Sequence, residues 1–289
     1  MKVLITGSSG RLGRALAAAL APVHSVVGLD RQPGPHTQVV ADLGDAGTVA
    51  QALAGVQAVL HTAALHAPHV GQVADAEFRR VNVLVTRQLA EAAAARGVRR
   101  FVFTSTTALY GAGQADGPAA WVDETTTPRP RSIYHHSKLA AEAELQDLAA
   151  REGLALSLLR MGRCFPEPAP AMALHRLHRG VDLRDVVRAH VLALHDDTPA
   201  VRCLVVSGAT PFLRSDLAAL GHDAPAVLQT RAPGLVAAFA ARGWPLPRRL
   251  DRVYAPHRAA SVLGWRAEHG HEAVLQQLDA GDPTVLAPG

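Results

Sequence analysis

The chain has 289 residues, 48% hydrophobic and 19% charged, enough apolar material for a sizeable core and too little charge for a disordered polyelectrolyte. The net charge of +4 and pI near 9.6 come from scattered arginines, and 6 Phe, 3 Tyr and 3 Trp offer little for stacking bases, which argues against a nucleic-acid partner. Two cysteines, Cys164 and Cys203, are too few for a disulfide framework, and MKVLITG opens without a signal-peptide core or a bilayer-length apolar run, so a cytoplasmic protein away from membranes is expected.

In chain order, KVLIT at 2–6 reads as the first strand, and the Ala-rich pattern at 11–21 as the first helix. Strands follow at 25–30, 37–41, 57–62, 101–105, 155–160 and 203–207, with helices at 46–54, 74–96, 134–152 and 184–195. Short Val/Leu/Ile runs alternating with helices of this length predict βαβ units with right-handed crossovers. The fold class is therefore α/β, a Rossmann-type doubly wound parallel sheet of about seven strands. After Arg160 the pattern breaks. CFPEPAPA at 164–171 carries three prolines, too many for an ordinary helix or central strand, and short helical pieces with Pro and Gly dominate from about 209. The division expected is 1–163 with 181–208 for the main domain, and 164–180 with 209–289 for a small irregular C-terminal substrate lobe.

The first strand runs straight into TGSSGRLG. Gly7 permits the tight turn, Gly10 lets backbone approach a pyrophosphate, and Gly13 lets helix and strand pack closely, while the helix N-terminus offers free N–H groups to phosphates. The turn residues Ser9, Arg11 and Leu12 join these glycines as cofactor contacts. Asp30 ends the second strand, 17 residues after Gly13, where a carboxylate accepts from both adenosine ribose hydroxyls and repels a 2′-phosphate. NAD is thus favoured over NADP, although Arg31 beside it could pair with such a phosphate. Asp42, followed by Leu43, is placed for the adenine amino group.

Tyr134 and Lys138 stand four residues apart on a predicted helix, and the only other lysine is Lys2. A phenol of pKa about 10 is a poor base at neutral pH. An ammonium one turn away, together with an oxidised nicotinamide ring, pulls it toward the working range. The end of FVFTSTTALYG supplies hydroxyls in a row, Thr104, Ser105, Thr106 and Thr107, and strand alternation points Thr106 at the site.

These residues together resemble the extended short-chain dehydrogenase/reductase family, the group of NAD-dependent epimerases and dehydratases. The likeness runs through TGSSGRLG, Asp30, ADL at 41–43, HTAA at 61–64, VNVLVT with Asn82, FVFTSTTALYG, YHHSK at 134–138, LLR at 158–160, VDLRDVVRAHVLAL at 181–194 and LGWRAE at 263–268. It implies an NAD-dependent enzyme with Thr106, Tyr134 and Lys138 as catalytic trio. By the same resemblance Ala63 and Ala64 line the cofactor's path, Asn82 lies beneath it and Met161 touches the nicotinamide. Family dehydratases carry an Asp–Glu pair after the Thr; Thr107 and Ala108 stand there, which argues against dehydration. RMGRCFPEP after the strand at 155–160 is similar to the RIGSC-PEP pattern of uronate dehydrogenases, making Arg163 a candidate for an anionic or polyhydroxy substrate.

The expected function is an oxidoreductase moving hydride between nicotinamide and a secondary alcohol or ketone of a small polar molecule, a sugar or sugar acid. A nucleotide-sugar epimerase with the same trio, and a non-catalytic dinucleotide sensor or scaffold, are the competing readings. His66 and Thr107 are further substrate candidates. The pairs His66/His69 and His175/His178 lack Cys or carboxylate companions in the sequence, so no metal is expected. Substrate shape is assigned to loops 65–75, 111–130 and 164–180, and the Ala-rich helices 74–96 and 134–152 suit a homodimer interface.

Overall fold

A computed structural model describes residues 1–113 and 116–287. Gln114 and Ala115, within the predicted 111–130 loop, and the last two residues of the predicted lobe lie outside them. The strands are β1 (Lys2–Thr6), β2 (Ser25–Asp30), β3 (Val39–Val40), β4 (Ala58–His61), β5 (Arg100–Thr106), β6 (Ala120–Val122), β7 (Ala155–Met161), β8 (Val201–Val206) and β9 (Arg252–Tyr254). The helices that matter here are α1 (Arg11–Leu20), α2 (Ala46–Ala52), α3 (Asp75–Arg79), α4 (Val85–Ala94), α5 (Ile133–Glu152), α6 (Ala169–His178) and α7 (Leu183–His195).

Seven strands form one sheet in the order β3-β2-β1-β4-β5-β7-β8, the Rossmann arrangement. The order reverses between β1 and β4, so the carboxyl ends of these two strands form the switch point at which open α/β sheets take ligands. Parallel register sets Thr6 beside Leu29 and His61, and His61 beside Phe103. The ends of β1, β2, β4 and β5 therefore lie in one row. Leu4, Leu29, Val59, Phe101, Phe103, Leu145 and Leu158 belong to one buried cluster, and strands with apolar residues on both faces, such as AVLH, fill it from within.

The chain divides into two compact units. The first comprises Met1–Leu109, Pro130–Arg160 and Val187–Leu204; the second comprises Tyr110–Arg129, Met161–Val186 and Val205–Gly289. In the first, the helix expected at 74–96 is interrupted. A π turn at Arg80–Leu84 separates α3 from α4, and its widened turn carries the buried Asn82. The long α5 is capped as its sequence allows: the Ser132 hydroxyl accepts from His135 N–H, and Gly153 ends it in the left-handed conformation at φ 67°.

The second unit departs from the sequence reading in two places. β6 and β9 pair in parallel as a separate two-stranded sheet, too short to announce itself by alternation. The proline-rich run also leads into a helix: Pro168 occupies the N-cap of α6 and Pro170 its first turn, where a missing N–H costs nothing and a fixed φ is already helical. Met172, Leu177, Phe212, Leu228, Leu235, Phe239 and Val274 build this unit's core. Trp265 is fully buried and donates through Nε1 to the Asp185 carbonyl at 2.9 Å. Among the described residues, no helix is long and apolar enough to cross a membrane.

Candidate functional site

The glycine turn between β1 and α1 is built as close contact requires. Gly7 has φ +72°, and a Cβ there would meet Thr62 Oγ1 at 2.7 Å and Ala63 N at 2.8 Å. A Cβ on Gly13 would lie 2.0 Å from the Gly7 carbonyl oxygen, so the helix and the turn after β1 touch backbone to backbone. Gly10 differs. It is exposed, its Cβ would meet only Gly7 O at 3.1 Å, and it caps α1 with no side-chain hydrogen bond to the first-turn N–H groups. That uncapped helix start suits a phosphate. Arg11 and Leu12, in the first turn, are half-buried.

Asp30 stands at the lip of the turn. Its Oδ2 accepts from Ser9 N–H at 3.0 Å and its Oδ1 from Gln32 N–H at 2.9 Å, leaving lone pairs for a diol. Arg31 is exposed beside it. The segment after β2 folds back over this edge: a Cβ on Gly28 would lie 1.8 Å from the His36 carbonyl oxygen, and Gly28 N–H donates to Gln38 Oε1 at 2.6 Å. The lone glycine in SVVGLD was the available signal for this approach. Asp42 has a partner that sequence reading missed. Its carboxylate accepts from Gly44 N–H at 2.7 Å and from Arg80 at 3.3 and 3.4 Å, and Arg80 also grips Glu77. The Arg80 hydrogen bond holds the Asp42 carboxyl below its ordinary range. Leu43 beside it is half-buried.

Beyond β4, Ala63 and Ala64 are half-buried, and the next residue is clamped. Asn82 Oδ1 accepts from Leu65 N–H at 2.8 Å, while its Nδ2 donates to Leu65 O and to Ser137 Oγ, each at 3.0 Å. The carboxamide is thus spent on fixing the loop after β4 to α5. His61 does similar work below: it hydrogen-bonds Thr6 Oγ1 at 2.6 Å and Thr86 Oγ1 at 2.9 Å, and burial holds its imidazole down to about 3.

At the end of β5 the expected trio comes together. Tyr134 is 8% exposed, and its hydroxyl hydrogen-bonds the Thr106 hydroxyl. Thr106 Oγ1 also accepts from Ala108 N–H at 3.0 Å. Lys138 Nζ donates to the Thr104 carbonyl at 2.6 Å and lies 3.8 Å from the centre of the Phe103 ring. Thr104 Oγ1 hydrogen-bonds His190 Nε2 at 2.8 Å. Burial pushes the Tyr134 phenol up to about 12, opposed only by the Thr106 hydrogen bond. Burial likewise pushes Lys138 down to about 7, opposed by the Glu142 charge. Among protein groups alone, removal from water outweighs the attraction between ammonium and phenolate.

His66 sits edge-on to Tyr134 with ring centres 6.2 Å apart, and its N–H donates to His69 Nδ1 at 2.9 Å. Its residue is open to solvent, yet crowding by protein and the nearby Lys138 charge hold its imidazole at about 4, as on a cleft wall. Thr107 is 3% exposed in a 3-10 turn, so its hydroxyl faces protein. In the second unit, Met161 ends β7 half-buried, and Arg163 donates through Nε to Glu167 Oε1 at 2.6 Å. Glu167 also pairs with His175 Nδ1 at 3.1 Å, a carboxylate companion the histidine spacing did not reveal. Among the described residues, no group of three His, Cys, Asp or Glu is placed to hold a metal ion.

Residues 3–173, more than half of the chain, match the model of the NAD dependent epimerase/dehydratase family. A uronate dehydrogenase of Pseudomonas putida is 30% identical over 216 residues, 72% of this chain and 76% of that protein. A 3-beta-hydroxysteroid dehydrogenase of Mycolicibacterium neoaurum is 33% identical over 174 residues, 55% of this chain; the match spans 46% of that protein, about half its length. Among solved structures, MoeE5 in complex with UDP-glucuronic acid and NAD superposes with a TM-score of 0.72 at 26% identity, covering 99% of this chain and all of that one.

Proposed function

Because the chain belongs to the NAD dependent epimerase/dehydratase family, we propose that it is an NAD-dependent dehydrogenase acting on a secondary alcohol of a sugar or sugar acid, with Thr106, Tyr134 and Lys138 as its reacting groups. The observation that carries this reading is the Tyr134 hydroxyl bonded to Thr106, one helical turn from Lys138, at the end of β5. The glycine turn fits the dinucleotide: Gly7 and Gly13 leave no room for a Cβ, the start of α1 has no side-chain cap, and Asp30 keeps lone pairs free at its lip. Gly7, Ser9, Gly10, Arg11, Leu12 and Gly13 would hold the pyrophosphate and Asp30 the adenosine ribose.

NAD, when bound, would supply the acceptor for the hydride leaving the substrate carbon. Thr106 holds the substrate oxygen and Tyr134 takes its proton as the carbonyl forms, with alignment and pre-set charge lowering most of the barrier. Lys138 together with the positive ring of bound NAD would favour the phenolate. The uronate dehydrogenase match and the RMGRCFPEP segment favour a sugar acid, with His66, beside Tyr134, as a substrate contact. Dinucleotide binding is assigned to the first unit. We further assign the protein to the cytoplasm as a homodimer. Leu84, 42% exposed, lies on a groove with Arg87 and Glu144 between α4 and α5 that a second copy would cover.

The test is NADH formation at 340 nm with uronic acids, aldoses and nucleotide sugars. Stoichiometric NADH with oxidised product supports the reading. Inversion of a nucleotide sugar without net NADH assigns an epimerase instead, and tight NAD binding without turnover across the panel assigns a sensor.

A further inference from the structure

Three side chains beside the trio have no role in the scheme above. Glu142 lies four residues beyond Lys138 on α5, so Tyr134, Lys138 and Glu142 form an i, i+4, i+8 ladder on one helical face. Each rung is bonded to β5, and the three acceptors or donors are consecutive. Thr104 O takes Lys138 Nζ, Ser105 Oγ donates to Glu142 Oε1 at 2.5 Å, and Thr106 meets the Tyr134 hydroxyl. From β7, Arg160 closes on Glu142 with Nε–Oε1 at 3.1 Å, Nε–Oε2 at 3.2 Å and Nη2–Oε2 at 2.6 Å. Glu142 is 1% exposed and Arg160 8%.

We propose that Glu142 is a positioning residue for proton transfer, locking the Tyr134–Lys138 face of α5 onto β5 and opposing loss of the proton from the Lys138 nitrogen. The proposal rests on the reading of Tyr134 and Lys138 as the proton-transfer pair. An apolar pair of similar volume could fill this space without loss of stability, so the buried charge calls for a purpose. The groups facing Lys138 narrow it. Tyr134 and Glu142 come from its own helix, His61 from β4, His66 from the loop after β4, and from β5 the Thr104 carbonyl, whose residue's hydroxyl bonds His190 of α7. Burial keeps His61 and His66 neutral near pH 7, with values of about 3 and 4. Glu142 stands on the Lys138 face of α5, and its charge opposes the burial that pushes the ammonium toward neutrality. Arg160 holds the carboxylate in place.

With only Lys2 and Lys138 in the chain, protein labelled with 15N at the lysine side chains gives two resonances, and Lys138 can be titrated directly. In Glu142→Gln the Lys138 midpoint should fall by about one pH unit while Lys2 stays put. The alkaline limb of kcat/KM should move the same way, and kcat should fall about tenfold with the KM for NAD within about twofold. Because Glu142→Gln leaves Arg160 buried and unpaired, the charge-balanced Glu142→Met/Arg160→Met variant is measured alongside it, and should show the same lowered midpoint in a stably folded chain. An unchanged Lys138 midpoint in either folded variant overturns the proposal. Wild-type protein inactive on every substrate would remove the dehydrogenase reading instead, and the NMR titration would still decide whether Glu142 opposes loss of the Lys138 proton.

Discussion

Gly10 and Gly13 stand three residues apart in one turn, and the structure assigns them different work that alanine can separate. A Cβ on Gly13 would sit 2.0 Å from Gly7 O, 2.7 Å from Gly7 C and 2.8 Å from Ser8 Cα. All three are backbone atoms, so α1 must move away from the turn that follows β1. Overpacking of this kind costs about 1–3 kcal/mol, or a fall of roughly 3–9 °C in melting temperature for a chain of this size. At Gly10 the backbone is extended, φ −71° and ψ 165°, which alanine adopts freely, and its Cβ would touch only Gly7 O at 3.1 Å. The unliganded Gly10→Ala chain should lose less than about 1 kcal/mol. Its methyl group would instead occupy the face that pyrophosphate approaches, weakening NAD at least about tenfold, or 1.4 kcal/mol. Thermal unfolding without ligand and calorimetric titration with NAD measure the two effects separately. Gly10→Ala with wild-type NAD affinity would show that the turn does not cradle a pyrophosphate, and an undamaged Gly13→Ala would contradict the backbone contact itself.

Three further outcomes are expected. Tyr134→Phe should retain NAD binding and fold, losing about 1 kcal/mol for the Thr106 hydrogen bond, while turnover drops about 10²–10⁴-fold; turnover near wild type would remove Tyr134 from the chemistry. Asn82→Ala strands the Leu65 N–H and carbonyl in the interior, so urea unfolding should register a loss of about 2–4 kcal/mol, and a loss below about 0.5 kcal/mol would mean the loop after β4 is held by other groups. His61 and His178 are buried with values of about 3, below the ordinary 6.5. The unfolded chain therefore binds their protons first, so stability falls as pH drops below about 6.5, and the loss continues until the folded-state values are reached. Unfolding free energies from denaturant melts at pH 7 and pH 5 should differ by on the order of 4 kcal/mol, about 2 for each ring, and equal free energies would contradict neutral burial of the two rings.

Much of this molecule is local, and local features are written in the chain. Runs such as KVLIT and ALSLLRM alternate with helical stretches, and their Val, Leu and Ile content demands burial on both faces, so a parallel α/β sheet follows from pattern alone. The glycine turn and the Tyr134–Lys138 spacing are readable for the same reason: each acts within one turn or one helix. The remainder depended on which distant segments meet. Nothing in VNVLVT says that Asn82 leaves α-helical register in a π turn to reach Leu65 and Ser137. Nothing in CFPEPAPA says which proline will begin a helix. Asp42 needed Arg80, Gly28 needed His36, and Glu142 needed Ser105 and Arg160, partners 18 to 38 residues away, or 8 in the case of the His36 backbone. The shifts at Tyr134 and Lys138 could not be read from their spacing either, because helical periodicity sets which groups are near each other, whereas the depth at which they are buried is a property of the packed chain.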